Sequence, residues 1–346
     1  MSQTRVSIKD IARAAGVSHT TVSRALHDNP LISEKTRARI QDLAREMGYI
    51  PDAVAQSLQT RRTGTIGLVV TSIADPFFSD LIEGAEAVAA TSGMSIFISA
   101  SHNDPEREIE VVETFHRRRV DGIIVAASRL SNRYTTRLEH IRVPVVLVNQ
   151  QAEEEQTLFY SVAVDECQGA RLAVEHLLDL GHRRVGYLGL GNRLRSNQQR
   201  LEGYREALTW AGIQTPDAWT VIAPLDVVQQ EGDVAAGQLF FPQLLDGGIS
   251  AVFCYNDRVA IGSLMACRAL NLAVPQACSL VGFDDIELAH YVTPKLTTIR
   301  QPRREMGELA MQMVLDLLDE KPVENQKLVP VLVQRESTGR HKEEGL

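Results

Sequence analysis

The chain has 346 residues, 44% hydrophobic and 23% charged, with a formal net charge of −8. That length suits two or three domains, and the balance excludes fibrous and disordered classes. No apolar run approaches the ~18 residues a membrane helix needs, and Met1–Arg5 leads into no apolar stretch of the signal-peptide kind, so a cytoplasmic location is expected.

Cys167, Cys254, Cys267 and Cys278 are scattered without CxxC spacing, which reads as reduced thiols and no metal framework. The nine histidines pair at no metal-ligand spacing, and GxSxG, P-loop and HExxH patterns are absent. An enzyme, a cofactor and a metal are therefore not expected. The charge is unevenly spread. Residues 1–62 hold ten Lys/Arg against six Asp/Glu, a balance of +4, which leaves −12 for the remainder. Phosphate attraction acts over about a Debye length of roughly 10 Å, so a basic head on an acidic body suits a DNA-binding module joined to something with another task.

In chain order, two short helical patterns flank one glycine. Ile8, Ile11, Ala12 and Ala15 have the spacing of one apolar helical face, with Ser7 as N-cap. Ser18 caps a second helix that buries Val22, Ala25 and Leu26. Gly16 sits in the connecting turn, where a left-handed residue is needed. This is the pattern of a helix-turn-helix, and it leaves Ser18, His19, Thr20, Thr21, Ser23 and Arg24 on a polar face that suits the DNA major groove. After the turn Asp28-Asn29-Pro30, Ser33 caps a third helix with Ile40, Leu43, Ala44 and Met47 inward, ending at Gly48. Asp52 caps a short fourth helix to Leu58, too short and too polar to fold alone.

The segments IKDIARAAGVSHTTVSRALHDNPLISEKTRARI (8–40), MGYIPDAVAQSL (47–58) and TGTIGLVV (63–70) resemble the LacI/GalR family of transcriptional repressors, and the resemblance extends over essentially the whole chain. It implies that the second helix reads operator bases. It also implies that the helix around Ala55 and Leu58 is a hinge that orders on DNA, its leucine wedging into the minor groove. Asp52 departs from the usual asparagine, which argues against a phosphate contact there. The resulting DNA-contact set is Ser7, Ser18, His19, Thr20, Thr21, Ser23, Arg24, Asn29, Ser33, Tyr49, Ala55 and Leu58.

The rest alternates strand and helix: strands at Ile66–Thr71, Met94–Ala100, Gly122–Ala127 and Pro144–Asn149, with helices at Phe78–Ser92 and Glu106–Arg117. A second series follows, with strands at Val185–Gly189, Ala251–Tyr255 and Leu280–Phe283, helices at Gly169–Leu180 and Arg200–Gly212, and returning segments at Thr297–Arg300 and Leu328–Arg335. Short apolar strands separated by helices read as parallel sheets covered on both faces. The fold class expected is an N-terminal all-α helix-turn-helix headpiece (1–50), a hinge and linker (51–64), and an α/β core (65–346). The core consists of two doubly wound lobes of the periplasmic-binding-protein type, one spanning about 65–163 plus 294–321 and the other 164–293 plus 322–340.

In open α/β sheets, ligands sit beyond the carboxyl ends of the strands. Candidate residues there are Asp75, Phe77 and Asn149 in the first lobe, and Asp165, Ser196, Arg200, Asn256 and Asp284 in the second. Carboxylates accept from hydroxyls, arginine donates several hydrogen bonds, and a phenylalanine covers an apolar face, which together suit a polyhydroxylated ligand. Asn256 and Asp284 are equally readable as helix caps or turn formers. The family resemblance favours effector contact for Arg200, Asn256 and Asp284. It also implies a homodimer on a palindromic double-stranded operator, a tetramer remaining open. A small effector, a sugar or sugar derivative, would then set operator affinity. Control by a phosphorylated protein co-regulator, or by a non-sugar metabolite such as a nucleobase, is the alternative.

Overall fold

The computed structural model describes residues 6–49, 62–127, 141, 143–149, 159–191 and 194–341, and it divides into two compact units, residues 1–63 and 64–346. The first unit holds helices α1 (Ile8–Ala15), α2 (His19–Leu26) and α3 (Glu34–Glu46) around a core of Ile11, Ala12, Val22, Ala25, Ile40 and Ala44. Each helix starts at the serine that the sequence marks. Ser7 pairs with Asp10 (backbone N–H to Oδ2 3.0 Å, hydroxyl to Oδ2 2.6 Å), Ser18 Oγ accepts from the Thr21 amide at 3.1 Å, and Ser33 Oγ accepts from the Thr36 amide at 3.3 Å. Gly16 adopts φ 66°, and its N–H bonds the carbonyls of Ala12 and Arg13, closing α1 so that α2 can begin three residues later. The expected hinge, Asp52–Leu58 with Ala55 and Leu58, lies outside the described residues.

The second unit holds two six-stranded sheets. The strands are β1 (Thr65–Val70), β2 (Ser95–Ala100), β3 (Gly122–Ala126), β4 (Val145–Val148), β5 (Tyr160–Val164), β6 (Val185–Leu190), β7 (Thr220–Ala223), β8 (Ala251–Cys254), β9 (Ser279–Asp284), β10 (Thr297–Arg300), β11 (Gln326–Leu328) and β12 (Val331–Val333). The first sheet has the order β11-β5-β4-β3-β1-β2 and is wholly parallel; the second has the order β12-β10-β9-β8-β6-β7 and is parallel except at β12, which runs against β10. The helices are α4 (Phe77–Thr91), α5 (Pro105–Arg117), α6 (Glu166–Asp179), α7 (Leu194–Trp210), α8 (Leu225–Leu245), α9 (Asp257–Ala269) and α10 (Arg303–Leu318). Helices α4 and α10 share one core with the first sheet, and α5 closes a second core on its other face. Around the second sheet, α8 and α9 contribute to one core and α6 and α7 to another.

The chain crosses between sheets later than the expected boundaries at 294 and 322. Strand β10 pairs with β9 in the second sheet, so residues 294–300 leave the first lobe; β11 pairs with β5, so residues 326–328 belong to the first. Both short strands sit near a crossing, where local spacing does not reveal which sheet supplies the partner. Residues 213–250, unassigned from sequence, form β7 and α8. Helix α8 has non-helical backbone at Gly232, φ 85°, and carries Pro242 in its interior.

One close approach fixes the start of α10. A Cβ on Gly84 would fall 2.0 Å from the Arg304 carbonyl oxygen, and one on Gly307 would fall 2.0 Å from that of Leu81. Helices α4 and α10 therefore cross backbone to backbone, which sets Arg303 at the head of α10 against Asp80 on α4.

Candidate functional site

In the first unit, α2 keeps His19, Thr20 and Arg24 exposed and Thr21 and Ser23 half-buried, opposite Val22 and Ala25. The other expected DNA-contact residues have local work. Ser7, Ser18 and Ser33 cap helices, the Asn29 side chain accepts from the Leu31 amide at 3.0 Å, and Tyr49 packs on the small core. Capping does not remove a serine from a phosphate-facing surface, since a helix N-terminus presents amide donors there.

In the second unit, the carboxyl ends of β3, β4 and β9 carry unusual backbone. Ala127, Asn149 and Asp285 have φ of 57°, 59° and 54°, and Asp284 has φ 108°. Non-glycine residues held at positive φ cost about 1–3 kcal/mol each, and such strain clusters at functional sites.

The centre is Arg200. Helix α7 begins six residues before the expected Arg200–Gly212, and this places Ser196 and Arg200 one turn apart on a single face. Arg200 is 3% exposed. Its Nε donates to Glu166 Oε2 at 2.7 Å, its Nη1 donates to the Tyr255 carbonyl, and its Nη2 lies 3.7 Å from Asp284 Oδ1. The guanidinium also stacks between Tyr255 and Phe283, 4.4 and 3.7 Å from their ring centres. Burial alone would lower its pKa, but Glu166, Tyr255 and Asp284 reverse that and hold it firmly charged.

Burial pushes the Asp284 carboxyl up to about 7, against the pull of Arg200 and Arg303 and with help from Asp75 and Glu166. Gln301 donates to Asp284 Oδ1 at 2.7 Å. Ser196 Oγ and Tyr255 Oη are 2.6 Å apart. Asn256 caps α9 by accepting from the Val259 amide at 2.9 Å and donates to Asp233 Oδ2 at 2.9 Å; Arg258 lies 3.7 Å from Asp75 and 3.9 Å from Asp233. The cap reading of Asn256 thus holds beside any ligand role.

Asp165 stands apart from this cluster. It caps α6 through the Gln168 amide at 2.9 Å and pairs with Lys327 at 2.7 Å, and although burial raises its pKa, these partners bring it below the ordinary value. Phe77 is 8% exposed, meets Phe78 edge-on, and lies 5.9 Å from the Arg303 guanidinium. The sequence reading missed Glu166, Gln301 and Arg303. Gln301 directly follows β10, so the strand-end rule would have found it had that strand been placed in the second sheet.

The ensemble offers acceptors, a firmly charged arginine and aromatic faces, arranged for hydrogen bonding without a nucleophile–base pair. Among the described residues no group of three or more His, Cys, Asp or Glu is placed to hold a metal, and no helix is long and apolar enough to cross a membrane.

The family profile for bacterial regulatory proteins of the lacI family matches residues 7–52, and that for a periplasmic binding protein-like domain matches 174–338. The chain is 35% identical over 310 residues to the HTH-type transcriptional regulator GalS of Salmonella typhimurium, covering 90% of this chain and 89% of the relative. It is 34% identical over 336 residues to the ribose operon repressor of Haemophilus influenzae, covering 96% and 98%. The crystal structure of the lac repressor dimer bound to operator and the anti-inducer ONPF superposes with a TM-score of 0.86 at 30% identity, covering 97% of this chain and 100% of that one. The chain belongs to the lacI family of bacterial regulatory proteins, a helix-turn-helix DNA-binding transcriptional regulator with a periplasmic-binding-protein-like core and not an enzyme.

Proposed function

We propose that the chain is a repressor that binds a palindromic operator as a homodimer and is controlled by a small polyhydroxylated effector bound between the two sheets of its core. The observation that carries this reading is the buried Arg200–Glu166–Asp284 cluster at the carboxyl ends of the strands. A charge as deeply buried as Arg200 is costly unless it is fully engaged, and Asp284 is held in a strained conformation with a pKa near neutrality. That combination supports reading the cluster as a ligand site. A relative named a ribose operon repressor supports the sugar class.

On the DNA side, His19, Thr20, Thr21, Ser23 and Arg24 read base edges, while Ser7, Ser18, Asn29, Ser33 and Tyr49 flank them toward the backbone. The roles of Ala55 and Leu58 rest on the family resemblance alone. Ligand binding shifts the core between two states that differ in operator affinity, by as much as the ligand's differential affinity for them.

A thermal-shift screen of sugars, sugar acids and nucleobases tests the effector site. A ligand at a hundredfold excess over Kd adds about 2.7 kcal/mol of stability. The ligand found should fail to shift Arg200→Ala or Asp284→Ala while both variants still bind operator. A ligand that shifts both variants as it does the wild type overturns the cleft assignment, and a nucleobase as the sole hit overturns the sugar class.

A further inference from the structure

Arg303 is 6% exposed and uses only one of its three guanidinium nitrogens. Nη2 donates to Asp80 and to the Asp285 carbonyl at 3.0 Å, whereas Nε and Nη1 meet no acceptor among the described residues. Those two atoms carry three N–H bonds, and leaving such donors of a buried cation unsatisfied is expensive. The residue also opens α10, where the helix dipole disfavours a cation and favours an anion.

Two other buried polar atoms nearby lack partners among the described residues, Thr71 Oγ1 just beyond β1 and Asn149 Oδ1 just beyond β4. Asn149 reaches Gln301 at 3.5 Å, and the Arg303 amide donates to the Gln301 carbonyl at 2.8 Å, so these atoms share one end of the first sheet. An Asn carbonyl oxygen asks for a donor, a guanidinium asks for an acceptor, and a threonine hydroxyl takes either. A neutral sugar supplies hydroxyl donors but only weak acceptors for a buried cation; a carboxylate beside hydroxyls supplies both.

We infer that the effector is a hydroxylated carboxylate, a sugar acid, whose carboxylate is bound by Arg303 while its hydroxyls engage Asn149 and Thr71. This rests on the cleft reading given above and specifies the ligand's chemical class. Arg303 and Asp284 then divide the ligand between them, the cation taking the acid and the carboxyl group taking hydroxyls. Asp80, half-exposed, competes with the ligand for the same guanidinium.

Calorimetric titration of the full chain with D-gluconate, D-galactonate, D-glucuronate, their neutral parent sugars and the corresponding sugar 6-phosphates tests the inference. A sugar acid is expected to bind at least 30-fold more tightly than its neutral parent, about 2 kcal/mol at 1.4 kcal/mol per decade. Arg303→Met should erase that preference. Because Arg303→Met also loses the Asp80 pair, Asp80→Asn serves as the second variant. It should tighten acid binding severalfold and leave the neutral sugar unchanged.

Equal binding of acid and neutral sugar, preference for a phosphate ester, or no binding by any acid overturns the inference. A neutral sugar whose binding is lost in Asp284→Asn and kept in Arg303→Met overturns it while leaving the cleft reading intact. Acid binding that is indifferent to both Arg200→Ala and Asp284→Asn overturns the cleft reading itself.

Discussion

Gln301 donates its side-chain amide to Asp284 Oδ1 at 2.7 Å, and its carbonyl oxygen lies 3.5 Å from Asn149 Nδ2. One side chain at a crossing between lobes thereby links the strand ends of both sheets. The same Asp284 oxygen that accepts this amide lies 3.7 Å from Arg200 Nη2. A ligand that changes either contact acts on a residue already under backbone strain, at φ 108°, and such residues suit a two-state element.

The raised pKa of Asp284 gives stability a definite pH dependence. The carboxyl moves from its ordinary 3.8 to about 7 on folding, chiefly through burial. The folded state thus holds the proton more tightly than the unfolded chain. The group's contribution is complete below pH 4 and is lost as pH rises to 7. Asp284→Asn removes this titration. Denaturation of the two proteins without ligand between pH 4 and 8 should show the wild type losing stability relative to Asp284→Asn as pH rises, with a slope of up to about 1.4 kcal/mol per unit. A difference that is constant with pH refutes the assignment.

His182 has the opposite sign. It is 2% exposed, within 2.9 Å of Ser250 Oγ and Ser279 Oγ and 3.1 Å of the Gly339 carbonyl, and it ties the C-terminal segment to β9 and the start of β8. Burial lowers its pKa from 6.5 to about 4, with the Gly339 carbonyl opposing. Its stabilising contribution is present above pH 6.5 and is lost as pH falls toward 4. Equilibrium unfolding at pH 7.5, 5.5 and 4.5 should show the advantage of wild type over His182→Gln shrinking with acidification. An advantage that grows instead contradicts a neutral buried imidazole.

The exposed face of α2 is separable from its buried face. Thr20→Ala and Arg24→Ala lie outside the core, so the melting of the first unit should change by no more than about 0.5 kcal/mol. Affinity for an operator selected from a random duplex library should fall about tenfold or more, as expected for loss of a base or phosphate contact. Unchanged affinity in both variants removes α2 from the reading surface.

Much of this was legible from sequence because the decisive signals are local. Ser7, Ser18, Ser33 and Gly16 mark the helix ends of the headpiece by capping and turn chemistry, and all four serve as such. The strand-end rule likewise picked out Arg200, Asn256 and Asp284 as candidates, and the fold brings Arg200 within 3.7 Å of Asp284. What escaped it depends on long-range partners. Glu166 is an ordinary first-turn acid until Arg200, 34 residues later, bonds it. Arg303 looks like any charged helix start until Gly84 and Gly307 let α4 and α10 close around it. Asp165 shows the converse, a strand-end polar residue whose partners are its own helix and Lys327.

Coupling between the core ligand site and the headpiece is measured by reciprocal linkage. The ligand identified by calorimetry is titrated into the free protein and into its complex with operator, and operator affinity is measured with and without saturating ligand. The two ratios must be equal if one two-state core couples the cleft to the headpiece, and a coupling of 1–3 kcal/mol, roughly 5- to 150-fold, is the usual range. Both ratios are expected to depart from one by the same factor, and Arg200→Ala is expected to bring the operator ratio to one. Identical ligand affinity in the presence and absence of operator contradicts the coupling.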